Sequence, residues 1–482
     1  AEIPEGIIEM LSLKGIGPKK ILTIWKDLGI ENLGELYYAC NENRLIEAKG
    51  FGVKTQDEVK RLIEFNMAGL GKFLYAQAEP LAQELLEGLT LWLANVQEGA
   101  LIEIAGDYRR YCEIVEDLTF IVGVDDPSFA ATQINGYSPL NFHLAAPNCY
   151  EADSPFGLKI KLHLVSKDDF YLSLFKLTGT TEHVQSVLKL AGAGPYLSEE
   201  AIYEQAGLDF VVPELREGPE VLTQAKNRCL PNLITYADLK GSLHNHSTWS
   251  DGVHSLEEMA LYCRDELSLS YLGICDHSKS AFYAKGLYEP RVEAQHKEID
   301  VLNAKLGPFK IFKGIESDIL NDGALDYSDE VLRTFDFVVA SVHSNLRMDE
   351  QKATARLIKA IENPYTTILG HPTGRLLLSR KGYEIDYAKV IDACAANNVV
   401  IEINANPLRL DLDWRWHRYA LEKGVLLSIN PDAHRMEKFR DMHYGVYIGR
   451  KGGLEAKQCL NALTLDEISA YFESRKARIA GR

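Results

Sequence analysis

The sequence has no long hydrophobic run and no excess of positive charge. Among its 482 residues there is no run of about 18 apolar residues, so we expect no transmembrane helix. There is also no charged, apolar, small-residue leader, so we expect no secretory signal. The eight cysteines are scattered without a CxxC pair, which indicates reduced thiols in a cytoplasmic protein. The net charge of −17 argues against broad attraction to nucleic acid and leaves room only for local docking.

The C-terminal half contains a series of histidines and carboxylates. The stretch GSLHNHSTWSDG (241–252) opens the series, and later members stand in the segments CDH, GIES, SVH, GHP and PDAH. Imidazole and carboxylate ligands without thiolates suit Zn²⁺, Mn²⁺ or Fe, and they favour a hydrolytic over a structural site. The nine candidates are too many for a single ion. They are His244, His246, Asp251, His277, Glu316, His343, His371, Asp432 and His434.

The spacing of these residues predicts the fold around them. Nearly every one ends a short apolar, β-branched run, such as YLGICDH or FDFVVASVH, and helical patterns such as DEQKATARLIKAIE lie between the runs. Alternating strands and helices predict a parallel sheet. Functional residues at the C-terminal ends of successive parallel strands are typical of a closed α/β barrel. Ordinary core or loop histidines would explain any one of these residues, but not the whole series.

From about residue 238 to residue 463, the chain resembles a PHP (polymerase and histidinol phosphatase) domain, a distorted TIM-like α/β barrel that holds three metal ions. The segments GHPTGRLLLSR, EINANPLRLDLDW and PDAH resemble the PHP domain of bacterial family X DNA polymerases. This resemblance implies that the nine candidates bind three ions of Mn²⁺ or Zn²⁺, or of Fe. It assigns His244, His246, Glu316 and Asp432 to one ion, Glu316, His343 and His371 to a second, and Asp251, His277 and His434 to a third.

Two related segments near the N-terminus predict contact with DNA. Each has a GxGxK arrangement between helical patterns and resembles a helix-hairpin-helix motif, which binds the nucleic-acid backbone. The residues are Gly15, Gly17 and Lys19 in the first segment, and Gly50, Gly52 and Lys54 in the second. Glycines let the backbone come close, and the helix that follows offers free N–H groups to a phosphate. A plain helix–turn–helix connection would explain one segment. The pair favours DNA binding that is modest and salt-sensitive, because the local charge is not basic.

The stretch AGDYRRYCEIVEDLTFIVG (105–123) resembles the palm segment of family X polymerases. In that family, a GSxRRG motif precedes a DxD acid pair, and a third Asp on a neighbouring strand completes a site for two Mg²⁺ ions. Here the serine position is Asp107, the acid pair reads Asp117-Leu118-Thr119, and the third position is Lys161. Two-metal phosphoryl transfer needs several carboxylates, and a lysine repels cations. The sequence therefore predicts that this region is inactive as a polymerase.

The predicted organisation is multidomain. It comprises an α-helical helix-hairpin-helix region at 1–70, an α+β polymerase-like palm and thumb at 71–218, a linker at 219–237 and the PHP barrel at 238–482. Three cations at strand ends of the barrel are candidate phosphate contacts: Lys279, Arg375 and Arg409. An ordinary ion pair would equally explain each of them.

The resemblance implies a metal-dependent 3′–5′ exonuclease or 3′-end-processing phosphodiesterase that acts on DNA ends, gaps or nicks in repair. We expect it to be cytoplasmic, and associated with the nucleoid when bound to DNA. Two alternatives stay open. One is a small-molecule phosphatase of the histidinol-phosphate type, against which the paired hairpin segments argue. The other is a non-catalytic DNA-end or gap-binding accessory protein, against which the full ligand set argues.

Overall fold

The computed structural model describes residues 3–11, 13, 16–46, 48–68 and 71–481. The chain divides into two compact units, one made of 1–63 together with 232–482 and the other of 64–231. The first unit therefore contains both the N-terminal helical region and the barrel. All eight cysteines fall in the described part of the chain, and all are free thiols. None of the described helices combines the length and apolar character needed to cross a membrane.

The N-terminal helical region consists of α1 (Glu5–Leu11), α2 (Pro18–Lys26), α3 (Leu33–Asn41) and α4 (Val53–Ala68), the last of which runs across the unit boundary. Pro18 occupies the first turn of α2, where a missing N–H costs nothing. Asn32 caps α3 by accepting the Glu35 N–H at 2.9 Å. Ile24, Leu36 and Ile63 are fully buried between the helices.

The second unit contains a five-stranded mixed sheet, a two-stranded antiparallel sheet and helices. Its elements are β1 (Phe73–Leu74), α5 (Tyr75–Val96), β2 (Leu101–Ala105), α6 (Gly106–Arg109), β3 (Ile114–Val115), β4 (Asp117–Val124), α7 (Pro127–Gln133), β5 (His143–Ala146), β6 (Cys149–Asp153), β7 (Lys159–Ser166), α8 (Phe170–Thr178), α9 (Thr181–Ala191), α10 (Glu199–Gln205) and α11 (Val221–Lys226). Five strands pair in the order β2-β4-β7-β6-β5, with β4 and β7 parallel and the other pairs antiparallel. The strands β1 and β3 form the two-stranded sheet.

The segment expected to be a linker, 219–237, is partly ordered within this second unit. Its first part forms α11, and Ala225 of that helix is buried in an apolar cluster with Phe175 and Tyr203. The second compact unit extends to Pro231, and apolar side chains of 221–230 pack onto α8 and α10.

The barrel alternates strands and helices, as the sequence pattern predicted. Its elements are β8 (Gly241–Ser242), α12 (Leu256–Leu261), β9 (Tyr271–Ile274), α13 (Glu289–Leu306), β10 (Lys310–Asp318), α14 (Asp329–Leu332), β11 (Phe337–Ser341), α15 (Glu350–Glu362), β12 (Ile368–Leu369), α16 (Tyr387–Asn397), β13 (Val400–Asn404), α17 (His417–Glu422), β14 (Leu427–Asn430), α18 (Met442–Lys451) and α19 (Leu465–Ala480). The seven strands are parallel and stand in sequential order, which confirms the predicted fold class.

The remaining helical segments of the described chain are short, at three to six residues each. The 3₁₀ turns are Ile134–Gly136, Lys167–Asp169, Pro213–Leu215, Tyr236–Asp238, Phe282–Ala284, Trp414–Trp416, Met436–Asp441, Ala456–Gln458 and Leu460–Ala462, and Tyr262–Glu266 is π-helical.

Side-chain hydrogen bonds close the seam between β8 and β14. Asn461 donates from Nδ2 to the carbonyls of Gly241 at 3.0 Å and of Ile429 at 2.7 Å. Beyond the strand ends, the His246 N–H donates to the carbonyl of Ala433 at 2.9 Å. The first and last strands are thus linked at the start of β8 through Asn461 and, through the His246–Ala433 bond, at the end where the candidate ligands stand.

Candidate metal centre

The barrel strands bring the nine candidate ligands to one end of the sheet. Since the C-terminal ends of parallel strands meet at the same face, residues that follow these strands converge there. The positions are after β8 (His244, His246 and, in the next loop, Asp251), after β9 (His277), within β10 (Glu316), after β11 (His343), after β12 (His371) and after β14 (Asp432, His434). All nine side chains are at most 8 % exposed. The site is therefore a buried cluster.

Glu316 lies at the centre of this cluster. Its Oε1 is 3.1 Å from Nε2 of His343 and 3.1 Å from Nε2 of His371. Its Oε2 is 3.3 Å from Nε2 of His244 and 3.1 Å from Nδ1 of His277. One carboxylate thus stands among four imidazoles, an arrangement suited to a ligand shared by two ions.

Asp251 and Asp432 are the other two carboxylates among the nine candidates, and each lies close to an imidazole. The Oδ1 of Asp251 is 3.1 Å from Nε2 of His434, and the Oδ1 of Asp432 is 3.0 Å from Nε2 of His246. In four groups of side chains, the ligand atoms lie within 4.8 Å of one another, which is close enough to share an ion. The groups are His246, Asp251, His277 and His434; His244, His246 and Asp432; His277, Glu316 and His343; and Glu42, Asp432 and His434.

The hydrogen-bond pattern fits metal ions. Buried polar atoms nearly always have a hydrogen-bond partner. Here many candidate ligand atoms are buried and close to other ligands, yet make no hydrogen bond with any residue that the structure describes. They include His244 Nε2, His246 Nδ1, Asp251 Oδ2, both ring nitrogens of His277, Glu316 Oε2, His371 Nδ1 and His434 Nε2. Metal ions would satisfy these atoms, and the mixed imidazole–carboxylate set suits Zn²⁺, Mn²⁺ or Fe.

The electrostatics of the cluster also favour added positive charge. Burial lowers the pKa of His343 and His434, but nearby carboxylates outweigh it and raise both to about 10. The pKa of His244 is likewise raised well above its usual value, chiefly by Glu402. Burial raises the pKa of Glu316, yet the surrounding imidazoles pull it well below its usual value. The positive charge of protonated imidazoles thus balances the negative charge of the carboxylates. Bound metal ions would supply the same balance.

Two carboxylates that sequence reasoning missed orient the ligand imidazoles. The Oε1 of Glu402 is 2.6 Å from Nδ1 of His244, and the Oδ1 of Asp318 is 2.7 Å from Nδ1 of His343. Each contact leaves Nε2 of the imidazole facing the cluster, as in carboxylate–histidine–metal arrangements. A signal existed for Asp318, because it stands two residues after Glu316 on β10 and so shares its face of the strand.

Asp276 holds the loop that carries Asp251 in place. The Asp276 carboxylate accepts hydrogen bonds from the backbone N–H of Ser247 at 2.8 Å, from the hydroxyl of Ser247 at 2.7 Å and from the side-chain amide of Gln295 at 2.6 Å. The loop also passes so close to itself at Gly252 that a Cβ there would lie 2.2 Å from the carbonyl oxygen of His246. Glycine is required at this position by close approach.

Side chains from the N-terminal helical region also reach the cluster, and sequence reasoning missed them. The hydroxyl of Tyr38 on α3 donates to Oδ2 of Asp432 at 3.3 Å. The Oε2 of Glu42 is 3.9 Å from Nε2 of His434, and Arg44 Nε is 3.7 Å from Oδ2 of Asp251. Nothing in the sequence pattern signals contacts between residues so far apart along the chain.

The three candidate phosphate contacts have protein partners. Arg375 donates to the carbonyl of Arg409 at 2.8 Å and pairs with Asp413 at 2.7 Å. Lys279 Nζ is 2.7 Å from Oε1 of Glu289. Arg409 is buried, and its Nε donates to the Tyr38 hydroxyl at 3.3 Å. These contacts favour a structural role for Arg375. They place Arg409 next to Tyr38, whose hydroxyl in turn contacts Asp432.

The predicted DNA-contact segments lie at open helix starts. Gly15 falls outside the described residues. Gly17 precedes α2, Gly50 has a φ of 89°, and a Cβ at Gly17, Gly50 or Gly52 would meet no atom within 4 Å. Lys19 and Lys54 are exposed. The geometry leaves these segments accessible to a phosphate backbone.

The polymerase-like acid pair is neutralised by its own neighbours. Thr119 on β4 stands opposite Lys161 on the parallel strand β7. Lys161 Nζ is 2.7 Å from one oxygen of Asp117, and the Thr119 hydroxyl donates to the other at 2.8 Å. This contact with Asp117 is the main reason that the pKa of Lys161 is raised. Both oxygens of the one remaining carboxylate are therefore occupied by protein groups.

Comparison with known proteins gives one match to the N-terminal helical region and others that cover larger parts of the chain. The family described as "SAM-like Helix-hairpin-helix tandem" matches residues 7–64. The DNA polymerase/3′-5′ exonuclease PolX of Bacillus subtilis is 35 % identical over 98 % of this chain and 85 % of its own length. A probable phosphatase of Caldanaerobacter subterraneus is 26 % identical over 38 % of this chain and 73 % of its own length. The histidinol phosphate phosphatase of Lactococcus lactis, solved with zinc, L-histidinol and phosphate, has a TM-score of only 0.36 at 17 % identity, over 45 % of this chain and 94 % of its own.

Proposed function

Because the chain belongs to the family X DNA polymerases that carry a PHP domain, we propose that it is a metal-dependent 3′–5′ exonuclease, or 3′-end-processing phosphodiesterase, acting on DNA. The observation that carries this proposal is the buried cluster of nine imidazole and carboxylate side chains at one end of the barrel. A purely structural site would need far fewer ligands.

The chemistry proposed for this site is hydrolysis of a phosphate ester. Bound metal ions would lower the pKa of water and stabilise charge on phosphoryl oxygens. The protein's own part is to position the ligands. Glu402 and Asp318 hold the rings of His244 and His343 in place, and Asp276 fixes the loop that carries Asp251. Substitution of such hydrogen-bond partners commonly lowers metal affinity or activity by about 10- to 100-fold.

DNA is the proposed substrate because the same chain carries a helix-hairpin-helix tandem. The matched segment includes Gly17 and Gly52 at open helix starts, with exposed Lys19 and Lys54 just after them. A helix N-terminus preceded by glycine offers free N–H groups to a phosphate without reading bases. A phosphatase for a small metabolite would have no use for such segments.

We also infer that polymerase activity has been lost. Two-ion nucleotidyl transfer needs several carboxylates aimed at the metals. Thr119 and Lys161 stand where the second and third would be, and both bind Asp117. The other named activity of the Bacillus subtilis relative, 3′-5′ exonuclease, is the one proposed here.

A single gel experiment tests both parts of the proposal. A 5′-labelled primer on a gapped template is incubated with Mn²⁺, with and without dNTPs, using the wild-type chain, His343→Ala and His143→Ala. His143 is an exposed histidine on β5 and serves as the matched control. We expect shortening without extension, reduced about 100-fold or more in His343→Ala and unchanged in His143→Ala.

Each other outcome points to a different function. Extension with dNTPs would mean that Asp117 still supports a working polymerase site. Cleavage equal in His343→Ala and wild type would exclude the barrel as the source of the nuclease. Absence of DNA cleavage, with hydrolysis of a small phosphate ester, would favour the phosphatase alternative, which the match of 38 % of this chain to a probable phosphatase also supports.

A further inference from the structure

We propose that Glu42 of the N-terminal helical region is a tenth metal ligand, shared with Asp432 and His434, and that it ties this region to the barrel through the ion. This inference rests on the proposed metal-dependent function, and it concerns a residue outside the barrel and outside the ligand set that the sequence predicts. Ligand atoms of Glu42, Asp432 and His434 lie within 4.8 Å of one another, which is close enough to share one ion.

Glu42 is a buried carboxylate at the edge of the cluster. Its side chain is 2 % exposed, and neither carboxylate oxygen makes a hydrogen bond to the described part of the chain. A buried carboxylate oxygen that accepts no hydrogen bond is costly. His434 Nε2 lies 3.9 Å from Oε2 of Glu42 and 3.1 Å from Oδ1 of Asp251, and it too makes no hydrogen bond with the described residues. Buried carboxylate and imidazole atoms at ligand spacing, with hydrogen-bonding capacity left unused, are the arrangement that a bound ion would complete.

The ion pair with Arg44 does not satisfy both oxygens of Glu42. Arg44 Nη2 is 2.8 Å from Oε2 of Glu42, and the same guanidinium reaches towards Asp251 at 3.7 Å. This pair uses one oxygen of Glu42 and leaves Oε1 with no partner among the described residues.

The surrounding contacts hold α3 tightly against the barrel. Glu35 Oε1 is 2.7 Å from Nη1 of Arg380. Gly34 approaches Ser379 so closely that a Cβ at residue 34 would overlap the serine hydroxyl. Asn43, next to Glu42, accepts from Nε of Arg435 at 3.1 Å. The carboxylate of Glu42 is thus carried into the cluster by an interface, not by a freely moving loop.

If Glu42 is a ligand, loading of the metal centre and docking of the helical region reinforce each other. An ion that binds only the docked state stabilises that state by linkage. The same region carries the predicted DNA contacts, so metal loading would also set where these contacts stand relative to the cluster. The readout that isolates this effect is metal binding, not nuclease activity.

The test compares Glu42→Gln with Glu35→Gln in the full chain. Glu35 lies in the same interface and pairs with Arg380, but it is not among the metal-spaced groups. Chelator-stripped protein is titrated with Mn²⁺ by calorimetry, and the melting temperature is measured with and without Mn²⁺. We expect Glu42→Gln to weaken at least one Mn²⁺ site about tenfold or more, and to reduce the rise in melting temperature on adding Mn²⁺. Glu35→Gln should bind Mn²⁺ as wild type does.

The outcomes separate this inference from the function on which it rests. Equal Mn²⁺ binding by Glu42→Gln and wild type would overturn it, and so would a melting temperature lowered equally with and without Mn²⁺, which indicates an ion pair with Arg44 only. His434→Gln is measured alongside. If Mn²⁺ binding is lost in His434→Gln but kept in Glu42→Gln, the barrel centre stands and the tenth ligand fails. If both variants bind Mn²⁺ as wild type does, the metal centre itself fails.

Discussion

His417 is a buried histidine that the barrel keeps neutral. Its Nε2 hydrogen-bonds to the carbonyl of Leu412 at 3.0 Å, so this nitrogen carries the proton. Its Nδ1 is buried and makes no hydrogen bond with a described residue, and Gly452 packs so closely that a Cβ there would lie 2.2 Å from Nδ1. A second proton on the ring would find no acceptor among the described residues. Burial accordingly lowers the pKa of His417 to about 4.

This lowered pKa predicts a loss of stability in mild acid. The unfolded chain binds a proton at His417 below about pH 6.5, whereas the folded chain resists it until about pH 4, so stability falls as the pH drops through this window. We expect about 2 kcal/mol to be lost from this residue between about pH 7 and about pH 5. His417→Gln should remove that part of the slope. Denaturant unfolding followed by tryptophan fluorescence, with exposed His143→Gln as the control, measures it, and equal slopes for wild type and His417→Gln would contradict the assignment.

At the scale of one element, β13 aims its alternate side chains into the metal centre. Glu402 accepts from Nδ1 of His244 at 2.6 Å through one oxygen, and from the N–H of His371 at 2.8 Å through the other. Two residues further on, the Asn404 amide donates to Oδ2 of Asp432 at 3.1 Å. One strand thus positions three ligands without supplying any.

Glu402→Gln should therefore weaken metal binding while leaving the barrel folded. A glutamine keeps the size of the side chain but is a weaker acceptor, so the ring of His244 is held less firmly and is less basic. We expect Mn²⁺ affinity to fall by about 10- to 100-fold, measured by calorimetry on chelator-stripped protein. Glu384→Gln, at an exposed position, should have no effect. Unchanged affinity in a folded Glu402→Gln protein would show that His244 does not need this carboxylate.

Local pattern explains which elements of the centre the sequence could predict. The strands and helices of the barrel were predictable because nearly every ligand motif ends an apolar run, and parallel strands bring such ends together. The same reasoning could have predicted Asp318, since its side chain shares the face of Glu316 on β10. Tyr38 and Glu42 were not, because their contacts with Asp432 and His434 depend on how α3 packs on the barrel, and no local pattern encodes that packing.

At the scale of the whole molecule, an acidic chain must bind an acidic polymer through a small surface. The net charge of −17 opposes DNA at long range, so binding has to come from backbone N–H groups and a few lysines close to the phosphates. Lys19 and Lys54 are exposed at the starts of α2 and α4 and are the lysines best placed for this contact.

The combined substitution Lys19→Ala and Lys54→Ala should weaken binding to gapped DNA at low salt and flatten its salt dependence. Each phosphate contact contributes about 0.9 to the slope of log affinity against log salt, so the loss of two contacts lowers the slope by up to about 2. Fluorescence anisotropy across a salt series measures both quantities, with Lys297→Ala and Lys457→Ala, at exposed positions of the barrel, as the control pair. If the double variant keeps the wild-type slope, the helical region does not contact the phosphates. The DNA would then have to be bound elsewhere, and the argument from the hairpin tandem for a DNA substrate would lose its physical basis.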